Sequence, residues 1–577
     1  MSGRDLGLRY WTDRRVTRRR MIVGAAAGSA GLAALAAFGC SSDDNNGNDG
    51  NGPDRGTPRI NDGSQDGTPS PEQRNGILRT RAANALPSMN PFGPGIFALA
   101  QQLTLGFTVF DHMWYVPTDT GEIELFLATN VEQPDELTVI ATLGDAVFQD
   151  KGPAPGRAVE AEDVAASFKR YRDESPIGYS WLHDVMEDIV AEDTKTVKIT
   201  QQRPWAWVFT SSNAGSPISS SILPREILQD HDDLLQRDAI GSSHWVLDSH
   251  DNGANIKLRR FENFRTHQGT RDITGQPFLA GINSILITDE NAALAAFVAN
   301  EIDTTSFSSR KQMEDTAAEL SGKIGTSFDL ARDYLNLMLK YEPPFTDLRV
   351  RKAINLLLDR DEAGLLLRDG DVVKAGPMPP VHKRYALAED DPDLMEYFRT
   401  DVAEAKQLLE ASSFDFDQEI ELKHSNRPND AGIAQIIKEQ LGRGDVKVKL
   451  VQEDLVKWFS QTLNQGQFQM TCFQHLAYED PDLPLRFYMT GNGITNFMNY
   501  DEPKVTEAVL AAAGELDEEE RVKKVQDAQR LIMSEYSPML NLMSFINFSG
   551  RYNYVKGAIT GRGSYGLFNR TTWLDKA

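Results

Sequence analysis

At 577 residues, 40% of them apolar, the chain can bury several cores, and its two cysteines, Cys40 and Cys472, provide no disulfide framework to staple them. Its 60 lysines and arginines against 84 aspartates and glutamates leave a formal charge of -24, which repels nucleic-acid phosphates and argues against nucleic-acid binding. Length alone predicts about three domain-sized units.

The chain opens on an address. The run Thr17-Arg18-Arg19-Arg20-Met21-Ile22-Val23 sets paired arginines before an Ala- and Gly-rich apolar stretch that continues to Phe38, the pattern of a twin-arginine export signal read at Arg18 and Arg19. The same stretch approaches the length needed to span a bilayer, so an N-terminal membrane helix is the alternative. Gly39-Cys40-Ser41-Ser42 closes it and resembles a lipobox, which implies a lipid anchor on Cys40. From there to residue 75 almost nothing is apolar, and such a segment cannot recover its ordering entropy by burial; 40–75 is expected to be a flexible tether after a signal over 1–39.

From Ile77 short strand-like runs alternate with amphipathic helices, so an α/β or α+β architecture is expected. Ile77 to Thr80, Leu137 to Leu143 and Thr196 to Thr200 have the β-branched content and alternation of strands. Ala161 to Tyr171 places Val164, Phe168 and Tyr171 on one helical face, with acids in its first turn and Lys169 and Arg170 in its last. A second helix is predicted over Asp289 to Asn300. A third carries Val350, Ala353, Ile354, Leu357 and Leu358 at helical spacing, with Asp347 able to cap it and Arg349, Arg351 and Lys352 pointing away from the stripe.

Enzyme motifs are missing. Cys472 and His475 lie close enough to suggest a thiol and its base, but Gln469 to Phe473 reads as a buried strand, where a thiol is an inert small hydrophobe. His231-Asp232-Asp233 lacks a second cluster with metal-ligand spacing and is expected to be a solvated loop. Neither a G-x-S-x-G elbow nor a phosphate-binding glycine loop is found, and no catalytic residue, metal or cofactor is assigned.

Two ordered segments carry a resemblance. Thr120-Gly121-Glu122, Leu127-Ala128-Thr129, the Leu137 to Leu143 run, Gly144 to Gly152 and Ala161-Glu162-Asp163-Val164 follow the order of a strand leading into "R-D-G-V-x-F-H-D-G" and "A-E-D-V", with Gln149 in the histidine's place. Pro343-Pro344-Phe345-Thr346-Asp347-Leu348-Arg349-Val350-Arg351-Lys352-Ala353-Ile354, ending in Asp359-Arg360, is similar to "P-F-x-D-x-R-V-R-x-A-I-x-x-x-x-D-R" almost position by position. Gly241 to Trp245, Ala299 to Asp303, and Phe568 with Trp573-Leu574 keep the expected order. The chain thus resembles the bacterial extracellular solute-binding proteins of the dipeptide, oligopeptide and nickel class (family 5), from about Ile77 to its end.

The resemblance implies an α/β, two-lobed, type II periplasmic-binding-protein-like fold with mixed sheets and an extra subdomain in the first lobe. Lobe I is then 76–110, 216–330 and 541–577, the inserted subdomain 111–215, and lobe II 331–540. It further implies a monomer that captures an oligopeptide-like solute by lobe closure and delivers it to the permease and ATPase of an ABC importer. A sugar or metal chelate as ligand and a sensory receptor are the alternatives; a secreted hydrolase finds no activated nucleophile. Cleft residues implied are Phe110, Asp111, Trp458, Phe473, His475, Tyr478 and Asp480, the aromatics having core burial as their alternative. Arg486 is expected to meet a ligand carboxylate or to serve a structural salt bridge. Ala477 stands where peptide binders of the family carry the aspartate that pairs with the ligand's α-ammonium, which opens the question of the ligand.

Overall fold

The computed structural model describes residues 67–92, 105–115, 123–174, 181–209, 220–476, 482–488, 496–558 and 570–576, apart from 87, 107, 252 and 487. Arg18, Arg19 and Cys40 lie outside these residues. Among the described residues no helix is long and apolar enough to cross a membrane.

Among the described residues three sheets of four or more strands organise the fold. The first is mixed: Ile77–Ala82 runs parallel to Gly281–Leu286, and Asn255–Arg260 and Trp245–Asp251 follow antiparallel. Between its first and later strands the chain builds a four-stranded antiparallel sheet in the order Ala128–Asp135, Thr138–Leu143, Thr196–Gln201, Met186–Ala191. Alternation decides its faces, since Val139, Ala141 and Leu143 are buried while their neighbours are partly exposed. The helix Ala161–Glu174 buries Val164, Phe168 and Tyr171 against this sheet, and its first-turn acid Asp163 is itself buried, bonded to Arg157 at 2.7 Å.

The large sheet runs in the order Thr304–Phe307, Met539–Tyr552, Ile324–Leu339, Met470–Leu476, Glu419–Ser425, Lys447–Glu453. The expected lobe breaks at 330/331 and 540/541 fall inside two of its strands, Ile324–Leu339 and Met539–Tyr552, which pair with each other. Their register slips between Leu330 and Tyr334. Past the slip, Leu335, Leu337, Leu339, Cys472, Leu540 and Leu542 share a core with the helix Leu348–Leu357. The end of the chain returns to the first sheet: Val555–Lys556 pairs with Trp573–Leu574, whose Leu574 packs so closely on Gly76 that a Cβ there would lie 2.8 Å from it.

Two local expectations are corrected. His231-Asp232-Asp233 is no loop: His231 precedes the helix Asp232–Arg237, whose first turn the two aspartates suit electrostatically. Arg351 does not point away from the core but is buried, its guanidinium donating to the carbonyls of Phe345, Thr346, Glu535 and Tyr536 at 2.7 to 3.0 Å. Those carbonyls end a loop and a helix, and a flat five-donor group satisfies several at once. The aspartate cap is as expected, with the Asp347 carboxylate accepting from the Arg349 backbone N–H at 2.8 Å.

Candidate ligand-binding site

The residues singled out from sequence fall in three places. Phe110 and Asp111 lie where the chain leaves the first sheet's layer for the insert. The Asp111 carbonyl accepts from Ile222 N–H at 2.9 Å, and the loop 241–245 crosses the same backbone. Gly241 is required there, since a Cβ would sit 2.2 Å from the Val109 carbonyl oxygen. Gln149 clamps the loop, its carboxamide donating to the carbonyls of Ser243 at 3.2 Å and Trp245 at 2.6 Å. A small pocket opens beside this crossing, walled by Phe110, Phe126 and Phe264, with polar atoms from Asp111, Ser243, His244, Arg265 and Arg570. Asp111 is buried and takes both terminal nitrogens of the Arg265 guanidinium, a forked ion pair out of contact with water.

Trp458 and Phe473 form the second group, on the large sheet. Their rings lie 6.1 Å apart, Phe473 meets Phe497 edge-on at 6.2 Å, and the Trp458 indole N–H donates to Thr471 Oγ1 at 2.9 Å. Both are buried. His475 occupies the strand Met470–Leu476 in register with Tyr334. Tyr478 and Asp480 fall outside the described residues.

Arg486 makes the third. It ends the short helix Asp482–Arg486, where its Nε donates to Asp482 at 2.7 Å, and its guanidinium covers Trp205 at 4.7 Å. Arg203 covers the same ring at 5.3 Å, and burial together with the charge of Arg486 holds its guanidinium below the usual range. Trp207 meets Tyr385 edge-on at 5.5 Å and lies under Arg521 at 5.1 Å. The stretch leaving the insert sheet is thus stacked onto residues 385, 486 and 521, which follow the large sheet's long strand in sequence.

Cys472 is fully buried in that sheet, and burial, followed by the nearby Asp430 charge, raises its thiol pKa well above the ordinary value. A thiol held neutral in a packed strand is a poor nucleophile. Among the described residues no three His, Cys, Asp or Glu side chains are placed to hold a metal ion. Sequence reasoning missed His244, Arg265 and Arg570 as partners of Phe110 and Asp111, because loop residues brought together from distant positions leave no periodic trace. The alternating pair Trp205 and Trp207 after Pro204 did offer a signal, two large aromatics in a row of loop residues.

The family described as "Bacterial extracellular solute-binding proteins, family 5 Middle" matches residues 122–496. The probable deoxycholate-binding periplasmic protein YgiS of Escherichia coli K12 is 24% identical over 229 residues, which is 39% of this chain and 40% of that protein's length. The structure of AgaA from A. tumefaciens R10 in complex with agropinic acid superposes with a TM-score of 0.73 at 21% identity, covering 87% of this chain and 99% of that one. DppA from Helicobacter pylori in complex with the peptide STSA gives 0.72 at 20% identity, over 88% and 99% of the two chains.

Proposed function

Because the chain belongs to the bacterial extracellular solute-binding proteins of family 5, we propose that it captures a solute outside the cytoplasmic membrane and hands it to the permease and ATPase of an ABC importer. Its fold is the two-lobed, type II binding-protein fold of that family. The observation that carries the reading is the family match over 122–496 joined to superposition on nearly the whole of the peptide-binding DppA.

Capture works by population shift: contacts from both lobes favour the closed form that the permease recognises, and no bond is made or broken. Lobe I comprises 76–110, 216–330 and 541–577, the subdomain 111–215, and lobe II 331–540. The paired strands Ile324–Leu339 and Met539–Tyr552 join the lobes, and the slip of register between Leu330 and Tyr334 supports bending there. The ligand is oligopeptide-like, held between Phe110 and Asp111 on one side and Trp458, Phe473, His475, Tyr478 and Asp480 on the other. Arg486, already engaged by Asp482, holds the Trp205 contact closed instead of meeting the ligand. The chain reaches its place through the signal at Arg18 and Arg19 and stays there through a lipid on Cys40; it acts as a monomer.

Native mass spectrometry of the protein purified without refolding tests the ligand. Released peptides are the expected result, and would mean that another group replaces the aspartate absent at Ala477. A sugar or a metal chelate in the spectrum would keep the importer role and reject the peptide. Palmitate labelling that persists in Cys40→Ser would reject the anchor.

A further inference from the structure

The pocket beside Phe110 carries an excess of positive charge. Arg265 is matched by Asp111, and Arg271 by Glu124 at 2.7 Å. Arg570 meets a carboxamide oxygen, that of Gln268, in place of a carboxylate. Burial, then the charges of Arg271 and Arg265, push its guanidinium down to about 9. An arginine nevertheless keeps its proton in a protein, so the charge persists and calls for a counter-charge. His244 adds none, because burial and the charges of Arg570 and Arg265 hold its imidazole neutral. Two guanidiniums against one carboxylate leave one positive charge in a space walled by phenylalanine rings.

Donors without acceptors surround that charge. Arg265 Nε, His244 Nε2 and Gln268 Nε2 are buried and have no hydrogen-bond partner among the described residues. Ser243 Oγ lies 2.9 Å from His244 Nδ1; with the hydroxyl donating, the ring hydrogen sits on Nε2, which then needs an acceptor. Arg265 and His244 are each more than nine-tenths buried, so water does not satisfy them from outside. Two of these donors belong to His244 and Arg265, which line the same small space as the unmatched Arg570, and that combination is the signature of a missing anion.

We propose that this pocket binds one small monovalent anion, a carboxylate group or a halide, seated against Arg570 and held by His244 and Arg265. The site lies within the first sheet's layer and the C-terminal segment, and it stands whether or not the importer reading does. A bound anion ties Arg570, and with it the C-terminal strand Trp573–Leu574, to the loop that precedes Trp245. If the anion is a carboxylate carried on the solute, the pocket selects acidic ligands; if a free halide, it is a fixed part of the fold.

The full chain, dialysed free of halide into a buffer whose anion is a bulky sulfonate, is titrated with sodium chloride and separately with sodium acetate at constant ionic strength. Chloride-35 line width and the thermal midpoint are read. A saturable response to at least one anion is expected in the wild type, weakened at least tenfold in Arg570→Gln. Arg237→Gln, which touches only an exposed pair with Asp233 away from the pocket, should respond as the wild type. If Arg570→Gln fails to fold, His244→Phe removes one donor at no change of charge and should weaken the response by a similar factor. Chloride binding displaced by acetate identifies a free-ion site, whereas acetate without chloride identifies a carboxylate seat. A wild type that responds to neither anion, or variants that respond as it does, overturns the proposal.

Discussion

His112 is kept neutral by burial, although a backbone carbonyl lies at each of its ring nitrogens. Its Nε2 lies 2.8 Å from the Gly106 carbonyl oxygen, and its Nδ1 lies 3.0 Å from the Ser220 carbonyl oxygen and 3.1 Å from the Ser220 hydroxyl. Burial outweighs the carbonyls and Asp111 and pushes it from 6.5 down to about 4. A base whose folded value is lowered binds fewer protons than the unfolded chain between those two values. Its stabilising contribution is therefore complete above pH 6.5 and is lost as the pH falls toward 4. The loss over that window is about 3 kcal/mol. Urea unfolding from pH 7 to 4.5 should show a shallower decline in His112→Asn; equal slopes would assign the acid sensitivity elsewhere. Cys472 makes a second case at this scale. In a Cys40→Ser background, a thiol reagent should label nothing until denaturant is added, and rapid labelling of the native protein would show the strand to be open.

The helix Leu348–Leu357 shows how an element is fixed from both ends of the size range. Its cap is a surface matter, one carboxylate to one N–H, and Asp347→Ala should cost about 1 kcal/mol. Arg351 belongs to the interior and joins the loop before the helix to the end of the helix Glu518–Ser534. Arg351→Met keeps the stem and strands four carbonyls, for a cost of about 3 kcal/mol. Denaturant midpoints at unchanged slope would read both, and an Arg351 cost no larger than that of Asp347 would mean water takes over the carbonyls. The apolar stripe of this helix was legible because its period is local. The role of Arg351 was not, because its partners at 535 and 536 are brought to it only by the fold.

At the scale of the molecule, Trp205 and Trp207 fasten the insert's exit to the part of the chain that follows the large sheet's long strand. Trp205 takes the guanidiniums of both Arg203 and Arg486 over its ring, an arrangement stable because the aromatic quadrupole and Asp482 offset the repulsion of two cations. Trp205→Ala should cost about 3 kcal/mol and uncouple the two regions. Calorimetry should show one transition in the wild type that broadens or splits in the variant. A sharp, unshifted transition would show that the ring carries no coupling.

The alternation in Thr138–Leu143, the helical stripes from Ala161 and Leu348, the Asp347 cap and the buried strand around Cys472 were determined by the sequence alone, because each depends on residues a few positions apart. The ordered motifs from Thr120 to Asp359 carried the family for the same reason, being contiguous runs with fixed spacing. Tertiary structure alone decided that Asp111 faces Arg265, that Arg570 closes on a pocket formed by residues more than three hundred positions away, and that the expected lobe breaks fall within two paired strands. A charge in a loop has no period, and its partner is chosen by which segments the sheets bring side by side.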